Sequence, residues 1–370
     1  MIGFWAIPLM LLMGCGDDNN QTPDTPSANV IEVSPGDLQF DATGEEKTII
    51  VKTNAAWSLN TDGQTWYSLS AKSGFTGETA VKIVTLKNNL DKERSAVLSF
   101  TSGADFKKEY RFKQEKGKVE NYVPEGYSLV WKDEFEEARL NGGKPALPNK
   151  TEWWYEVAEP GWVNNELQRY IADGVSGTDT CSMITDGTLK IIAKKKENEV
   201  ISARINTSKS WTYGYFEARL KLPKGKGTWP AFWMMPKNYT AWPDDGEIDI
   251  MEEVGYRPNY VSSSIHCKAY YHSIGTQKTG EQLVPTAESD FHIYALEWTK
   301  DYIKGFVDGK CHFTFNNDKT GNKNTWPFDA PFYLKLNLAW GGSWGGAEGV
   351  DESALPVTYE IDYVRVYQKK

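Results

Sequence analysis

The chain has 370 residues, with 41 Lys and Arg against 50 Asp and Glu, for a net charge of −9 at pH 7. That length exceeds one comfortable core and fits two domains, or one large domain with a small companion. The acidic balance argues against nucleic acid or another polyanion as the main partner, while 15 Trp and 19 Tyr suit platforms for flat sugar faces, the plain alternative being the β-sheet preference for aromatics.

Residues 1–14 are apolar almost throughout, and Leu12-Met13-Gly14-Cys15 resembles the lipobox cleaved ahead of a lipidated cysteine. An ordinary secretory signal and a short membrane anchor are the alternatives, the run being too short to span well. The resemblance implies a signal over residues 1–15, a lipid anchor at Cys15, and display at the outer membrane or cell surface of a Gram-negative bacterium. Residues 16–28, with Asp17-Asp18-Asn19-Asn20 followed by Thr, Pro and Ser, read as a flexible tether.

From 29 to 115 short alternating strands are separated by turn residues: Asp37-Leu38-Gln39-Phe40-Asp41, Lys47-Thr48-Ile49-Ile50-Val51, Ala80-Val81-Lys82-Ile83-Val84 and Ala96-Val97-Leu98-Ser99-Phe100. They predict a small immunoglobulin-like β-sandwich. Its Asn54-Ala55-Ala56-Trp57, Trp66, Arg94-Ser95-Ala96 and Gln114 resemble the BACON-type modules of lipoprotein glycosidases. Their name suggests carbohydrate binding. Trp57, however, sits where a sandwich core needs a large apolar residue, so the preferred role is that of a spacer.

Residues 116–126 make a polar linker. Beyond it, over 127–370, no long stretch has helical period, and strands recur: Leu129-Val130-Trp131, Gly214-Tyr215-Phe216-Glu217-Ala218-Arg219-Leu220, Tyr333-Leu334-Lys335-Leu336-Asn337-Leu338, and the run from Glu360 to Tyr367. Val307-Asp308-Gly309-Lys310 is a hairpin signal. So many strands imply two packed antiparallel sheets, and the fold class is all-β, a jelly-roll sandwich behind a smaller β-sandwich. The four cysteines, at 15, 181, 267 and 311, show no spacing that suggests zinc; Cys181, Cys267 and Cys311 read as buried free thiols.

Within this domain Gly246-Glu247-Ile248-Asp249-Ile250-Met251-Glu252-Glu253-Val254-Gly255 alternates apolar and acidic residues as far as Ile250, so Glu247 and Asp249 share one face of a strand. Two carboxylates on one face repel, which an ordinary solvated strand avoids and glycoside hydrolysis requires. Strict alternation would add Glu253 to that face; a β-bulge over Ile250 and Met251 would add Glu252 instead. The residues alone leave that choice open.

Glu-x-Asp-x-x-Glu, preceded by Trp229-Pro230-Ala231-Phe232-Trp233-Met234-Met235-Pro236 and followed by Ser264-Ile265-His266, resembles the catalytic strand of glycoside hydrolase family 16, laminarinase-like branch. The resemblance runs from about Tyr127 to the end of the chain. It implies Glu247 as nucleophile, Asp249 as its partner and Glu252 as general acid and base, on the bulged strand. It also implies that Trp229 and Trp233 flank the sugar beside the scissile bond, that Asn165 and Glu166 hydrogen-bond sugar hydroxyls, that Arg204 donates on the glycone side, and that His266 orients Glu252 or contacts the leaving sugar. Gln277, in the loop after His266, and Trp340 and Trp344, in Ala339-Trp340-Gly341-Gly342-Ser343-Trp344-Gly345-Gly346, read as cleft walls. No cofactor is implied for catalysis. A structural Ca²⁺ on the convex side is implied, with Glu134 and Asp362 as its oxygen ligands.

The activity so implied is that of a monomeric retaining endo-β-glycosidase on β-1,3- or mixed β-1,3/1,4-glucan. An endo-β-1,4-galactosidase acting on O-glycans or N-acetyllactosamine chains is the alternative on the same catalytic strand, sulfated galactans come third, and a surface glycan-binding protein without turnover is the alternative from another class.

Overall fold

The computed structural model describes residues 29–103, 106–136, 146–172 and 180–370. The signal, the tether and Cys15 lie outside the described residues.

The N-terminal part is a sandwich of a four-stranded and a five-stranded sheet. Its strands alternate cleanly. In Arg94–Ser102, Ala96, Leu98 and Phe100 face inward and are fully buried. Trp57 packs on Phe100 and Trp66 on Phe112, with ring centroids 5.6 and 5.5 Å apart. Both tryptophans belong to the core, Trp57 as its place in the sandwich led one to expect.

The larger part packs a seven-stranded sheet on a ten-stranded one, the jelly-roll architecture expected of so many strands. The seven strands are β1 (Trp153–Tyr155), β2 (Arg204–Thr207), β3 (Thr228–Pro236), β4 (Glu247–Glu252), β5 (Tyr260–His266), β6 (Lys278–Leu283) and β7 (Phe332–Trp340). Their order across the sheet is β1-β2-β7-β3-β4-β5-β6. Phe232, Met234, Ile248, Ile250, Leu334, Leu336 and Leu338 point into the space between the sheets and are fully buried. Each such side chain contributes about 1.5–3 kcal/mol of transfer free energy, so the register of the sheet is tied to its inner face. The other face is left to polar and aromatic residues.

The Asp308-Gly309 turn closes the expected hairpin, Val307 pairing with Lys310, and both turn residues have positive φ, 46° and 75°. Cys181 and Cys267 are buried, as expected. Cys311 departs from expectation: it lies just after that turn, near the edge of the ten-stranded sheet, and is exposed.

Candidate active site

The cleft face is built from rows of residues facing one another across four strands. One row runs Arg204 on β2, Asn337 on β7, Ala231 on β3 and Glu252 on β4. The next runs Asn206, Lys335, Trp233 and Asp249. Side chains of one row stand side by side, so the small Ala231 leaves a gap between Asn337 and Glu252.

The rows stay in step only because β4 carries one extra residue. Asp249 pairs with Ser264 and Glu252 with Ser262 on β5, leaving Ile250 and Met251 opposite the single Ser263. This bulge lies where the family resemblance implies it, and it turns Glu252 onto the face of Glu247 and Asp249. Glu253 goes the other way and is completely buried. The carbonyl of Ile250 accepts from Ser263 Oγ at 2.7 Å, and that hydroxyl also contacts His312 Nε2 at 3.0 Å. Before the strand, Gly246 at φ +92° makes the turn into it; a Cβ there would press on Pro327 and Phe328, both 3.0 Å away.

Each outer carboxylate is held by an indole. Trp229 Nε1 donates to Glu252 Oε1 at 2.9 Å, and Trp242 Nε1 donates to Glu247 Oε2 at 3.0 Å. His266 Nε2 lies 3.3 Å from Asp249 Oδ2. Its direct contact is thus with the middle carboxylate, because it stands opposite Glu247 at the far end of the strand from the bulge, and it reaches Glu252 only through charge.

All three carboxyls titrate upward. Burial raises Glu247 to about 8, with the charge of Asp249 adding to it. Burial and then the charge of Glu252 place Asp249 well above the usual range. Burial raises Glu252 to about 7, against the lowering effect of the Trp229 hydrogen bond and with a further rise from Glu247. Crowded carboxylates behave as one titrating set, and within it Glu247 and Asp249 are hydrogen-bonded to each other. Glu247, Asp249 and His266 also bring three potential metal-ligand atoms within 4.8 Å of one another.

Two hollows of about 460 and 470 Å³ open along this face. Asn164, Trp229, Glu247, Glu252 and His272 line both, so the hollows meet at the carboxylate pair. The first also takes in Arg204, Trp233 and Glu166. Arg204 is buried, 3.4 Å from Glu166 Oε2 and 3.6 Å from Glu156 Oε2, with its guanidinium over the Tyr170 ring at 4.4 Å. The second hollow takes in His266, Gln277 and Trp344, whose ring meets Trp229 edge-on at 5.4 Å.

Three expectations are corrected here. Trp340 is 1% exposed and belongs to the core: as the last residue of β7 it pairs with Thr228 and faces inward. Asn165 donates to Ser343 Oγ at 2.9 Å, and it is its neighbour Asn164 that lines the hollows. The two carboxylates expected to hold calcium are instead engaged by arginines. The Glu134 carboxylate is forked by Arg365, Nε and Nη2 each at 2.9 Å, and Asp362 Oδ2 is bound by Arg219 at 2.9 Å.

The structure also adds residues that the sequence reading missed. Trp242 caps Glu247 from the loop before β4. Asn337 accepts from Trp233 Nε1 at 2.7 Å, and Lys335 Nζ pairs with Glu156 at 2.7 Å while lying 4.9 Å over the Trp233 ring. Period-two alternation along β7 was the available signal for the last two, since it puts both on the face opposite Leu334, Leu336 and Leu338.

Comparison with known proteins gives the same picture. The family model described as glycosyl hydrolases family 16 matches residues 171–365, and the BACON model, a putative N-terminal binding domain, matches residues 55–108. A β-glucanase of Rhodothermus marinus is 44% identical over 255 residues, 65% of this chain and 85% of its own length. A glucan endo-1,3-β-glucosidase of Cryptopygus antarcticus is 38% identical, over 64% of this chain and 90% of its own. A keratan-sulfate endo-1,4-β-galactosidase of Sphingobacterium multivorum is 32% identical, over 65% of this chain and 55% of its own. Among solved structures, the R. marinus laminarinase superposes with a TM-score of 0.60 at 44% identity, covering 65% of this chain and 97% of that one.

Proposed function

The chain belongs to glycosyl hydrolases family 16, and from that premise we propose that it is a retaining endo-β-glucanase cleaving internal linkages of β-1,3- or mixed β-1,3/1,4-glucan. The observation that carries this reading is the meeting of the two hollows at Glu247 and Glu252, on a strand whose bulge turns both to one face. A chain threaded through both hollows has a glycosidic bond over the carboxylates and sugars on either side, which is the requirement for internal cleavage.

In the proposed reaction Glu247 attacks the anomeric carbon as the glycosidic C–O bond breaks, and Glu252 gives its proton to the departing oxygen. Asp249 acts through Glu247. In this reading a proton carried by Asp249 donates a hydrogen bond to the nucleophile and leaves Glu247 ionised. Once the ester on Glu247 has formed, Glu252 is an anion and takes a proton from water, whose oxygen attacks the same carbon and frees Glu247. Trp229 steadies Glu252 in both states, since its N–H donates to an oxygen that need not carry the proton. Two inversions retain the configuration.

The substrate preference is supported by the glucanases above at 44% and 38% identity. The galactosidase reading has the relative at 32% in its favour. A binding protein without turnover would have no use for three converging carboxyls, Asp249 buried and Glu247 and Glu252 half-buried. Our proposal includes a lipid anchor at Cys15, outer-membrane or surface display and a monomeric state, the anchor being supported by Leu12-Met13-Gly14-Cys15.

The test is product mapping by mass spectrometry on laminarin, mixed-linkage glucan, keratan and mucin O-glycans, with the anomeric form of fresh product read by NMR. Glucose oligomers released as the β-anomer are expected. Galactose-ended fragments alone would transfer the enzyme to the second reading, and absence of product from every substrate would overturn hydrolysis.

A further inference from the structure

The place expected for calcium is filled by part of the chain itself. Lys92 lies in the loop of the N-terminal sandwich between the strands Gly77–Thr85 and Arg94–Ser102. It reaches out of its own domain, and its ammonium donates to the backbone carbonyl of Glu134. The same Nζ is 3.4 Å from the carbonyl oxygen of Asp362 and 3.3 Å from Asp362 Oδ1. Asp362 is 1% exposed, and Arg219 engages only its other oxygen. Two carbonyls and a buried carboxylate oxygen form a cradle suited to a hard cation, and an ammonium on a four-carbon stem supplies the charge.

The surrounding contacts hold that lysine in place. Asn88, 1% exposed, donates from Nδ2 to Lys92 O at 2.9 Å and to Glu115 O at 2.7 Å, and the Leu90 carbonyl accepts from Gly117 N at 2.7 Å. Leu90 is buried although it belongs to neither hydrophobic core. Across the junction, Gly187 has φ +76°, and a Cβ there would lie 3.2 Å from Lys92 Cε and 3.3 Å from Leu90 Cδ1. Three more polar contacts cross: Asp91 to Arg365 at 3.4 Å, Thr65 Oγ1 to Asp186 at 3.2 Å, and Asn89 to Asp290 at 3.1 Å.

We propose that Lys92 is the resident cation of the Glu134–Asp362 cradle, clamping the N-terminal sandwich to the face of the glycosidase domain away from the cleft. The module is then a fixed spacer and not a swinging arm. Calcium can enter the cradle only when the ammonium is removed. The proposal concerns the back of the domain and does not depend on which polysaccharide the cleft accepts.

The experiment uses the full chain as wild type, Lys92→Met and Lys92→Ala, each unfolded thermally in EDTA and in millimolar CaCl₂, with limited trypsinolysis at Lys116 and Lys118 followed by mass spectrometry. Turnover of a soluble substrate checks that the catalytic domain of each variant is folded, and because Lys92 touches no cleft residue that rate is expected to stay at the wild-type level. Wild type is expected to have the same Tm in both buffers. Lys92→Met, which keeps most of the apolar stem, should melt lower in EDTA and regain stability in calcium, and its linker should be cut on the order of ten times faster as the docked state loses its anchor. A wild-type Tm that rises with calcium would overturn the proposal, as would a Lys92→Met protein with wild-type Tm and linker protection, or one destabilised with no calcium rescue.

Discussion

At the scale of single residues, the roles of Glu247 and Glu252 differ by what surrounds them and not by residue type. Both are Glu, both accept from an indole N–H, and both are raised by burial. What separates them is Asp249, which is hydrogen-bonded to Glu247 and influences Glu252 through charge. Removing each carboxyl gives different chemistry. Glu247→Ala should lose several orders of magnitude in kcat with an activated glucoside and regain turnover in azide, giving the α-glycosyl azide by direct displacement. Glu252→Ala should still form the ester with a good leaving group and give the β-glycosyl azide, because azide then attacks the intermediate. Polarimetry or NMR of the azide product decides between them, and exchanged configurations would reverse the two assignments.

At the scale of elements, the bulge in β4 separates an active carboxyl from an inert one one position later. Glu253 is buried and raised to about 8, first by burial and then by the charge of Glu288, against one backbone hydrogen bond from Asn259. Below its ordinary value of 4.5 it is protonated in both folded and unfolded chains and costs nothing. Between 4.5 and about 8 the unfolded chain ionises it while the folded protein keeps the proton, so stability falls as pH rises through that window. Glu253→Gln keeps the acceptor for Asn259 and removes the titration. Its Tm should pull ahead of wild type as pH rises from 5 to 8, by at most roughly 3 kcal/mol near pH 7, with kcat unchanged; a constant Tm difference across that range would contradict the assignment. The same strand shows what was legible in the sequence. Strand alternation has a fixed period that leaves its trace in the sequence, so it puts Glu247 and Asp249 on one face, while the choice of Glu252 over Glu253 comes from the family resemblance and not from the period. Segments without a period leave no such trace. Asn164 and Asn165 both have left-handed φ, 52° and 53°, and only the loop geometry selects which of them faces the cleft. Trp340 and Trp344 stand in one Gly-rich run, yet a single helical turn over Gly342–Gly345 follows β7, so the first ends in the core and the second beside Trp229. Trp242 reaches Glu247 from a loop, a contact that no alternation could announce.

At the scale of the molecule, two hydrophobic cores are separate in sequence and in space, while charged groups cross between the domains at Lys92, Asp91 and Arg365. Separate cores mean that the glycosidase domain retains its own interior when the sandwich is removed. The crossing charges mean that it does not retain its stability, since Asp362 Oδ1 would lose its Lys92 partner while remaining buried in the middle of the strand Val357–Lys369. Breaking one partner of a buried ion pair costs about 3–5 kcal/mol, reduced here because the truncation also opens the site to water. Deletion of residues up to 118 should therefore leave kcat/KM on soluble oligosaccharides within about two-fold of the full chain, as expected of a module docked away from the hollows, and lower Tm by several degrees. Polymer-bound substrate gives the contrast that separates spacer from binding module. A spacer leaves the activity of the soluble truncated enzyme on insoluble glucan unchanged, whereas a carbohydrate-binding module lowers it selectively when lost. Parallel assays of both forms on soluble and insoluble β-glucan, with Tm measured on the same samples, distinguish loss of stability from loss of grip; a fall in kcat on soluble substrate would show instead that the sandwich shapes the cleft through the sheet on which it rests.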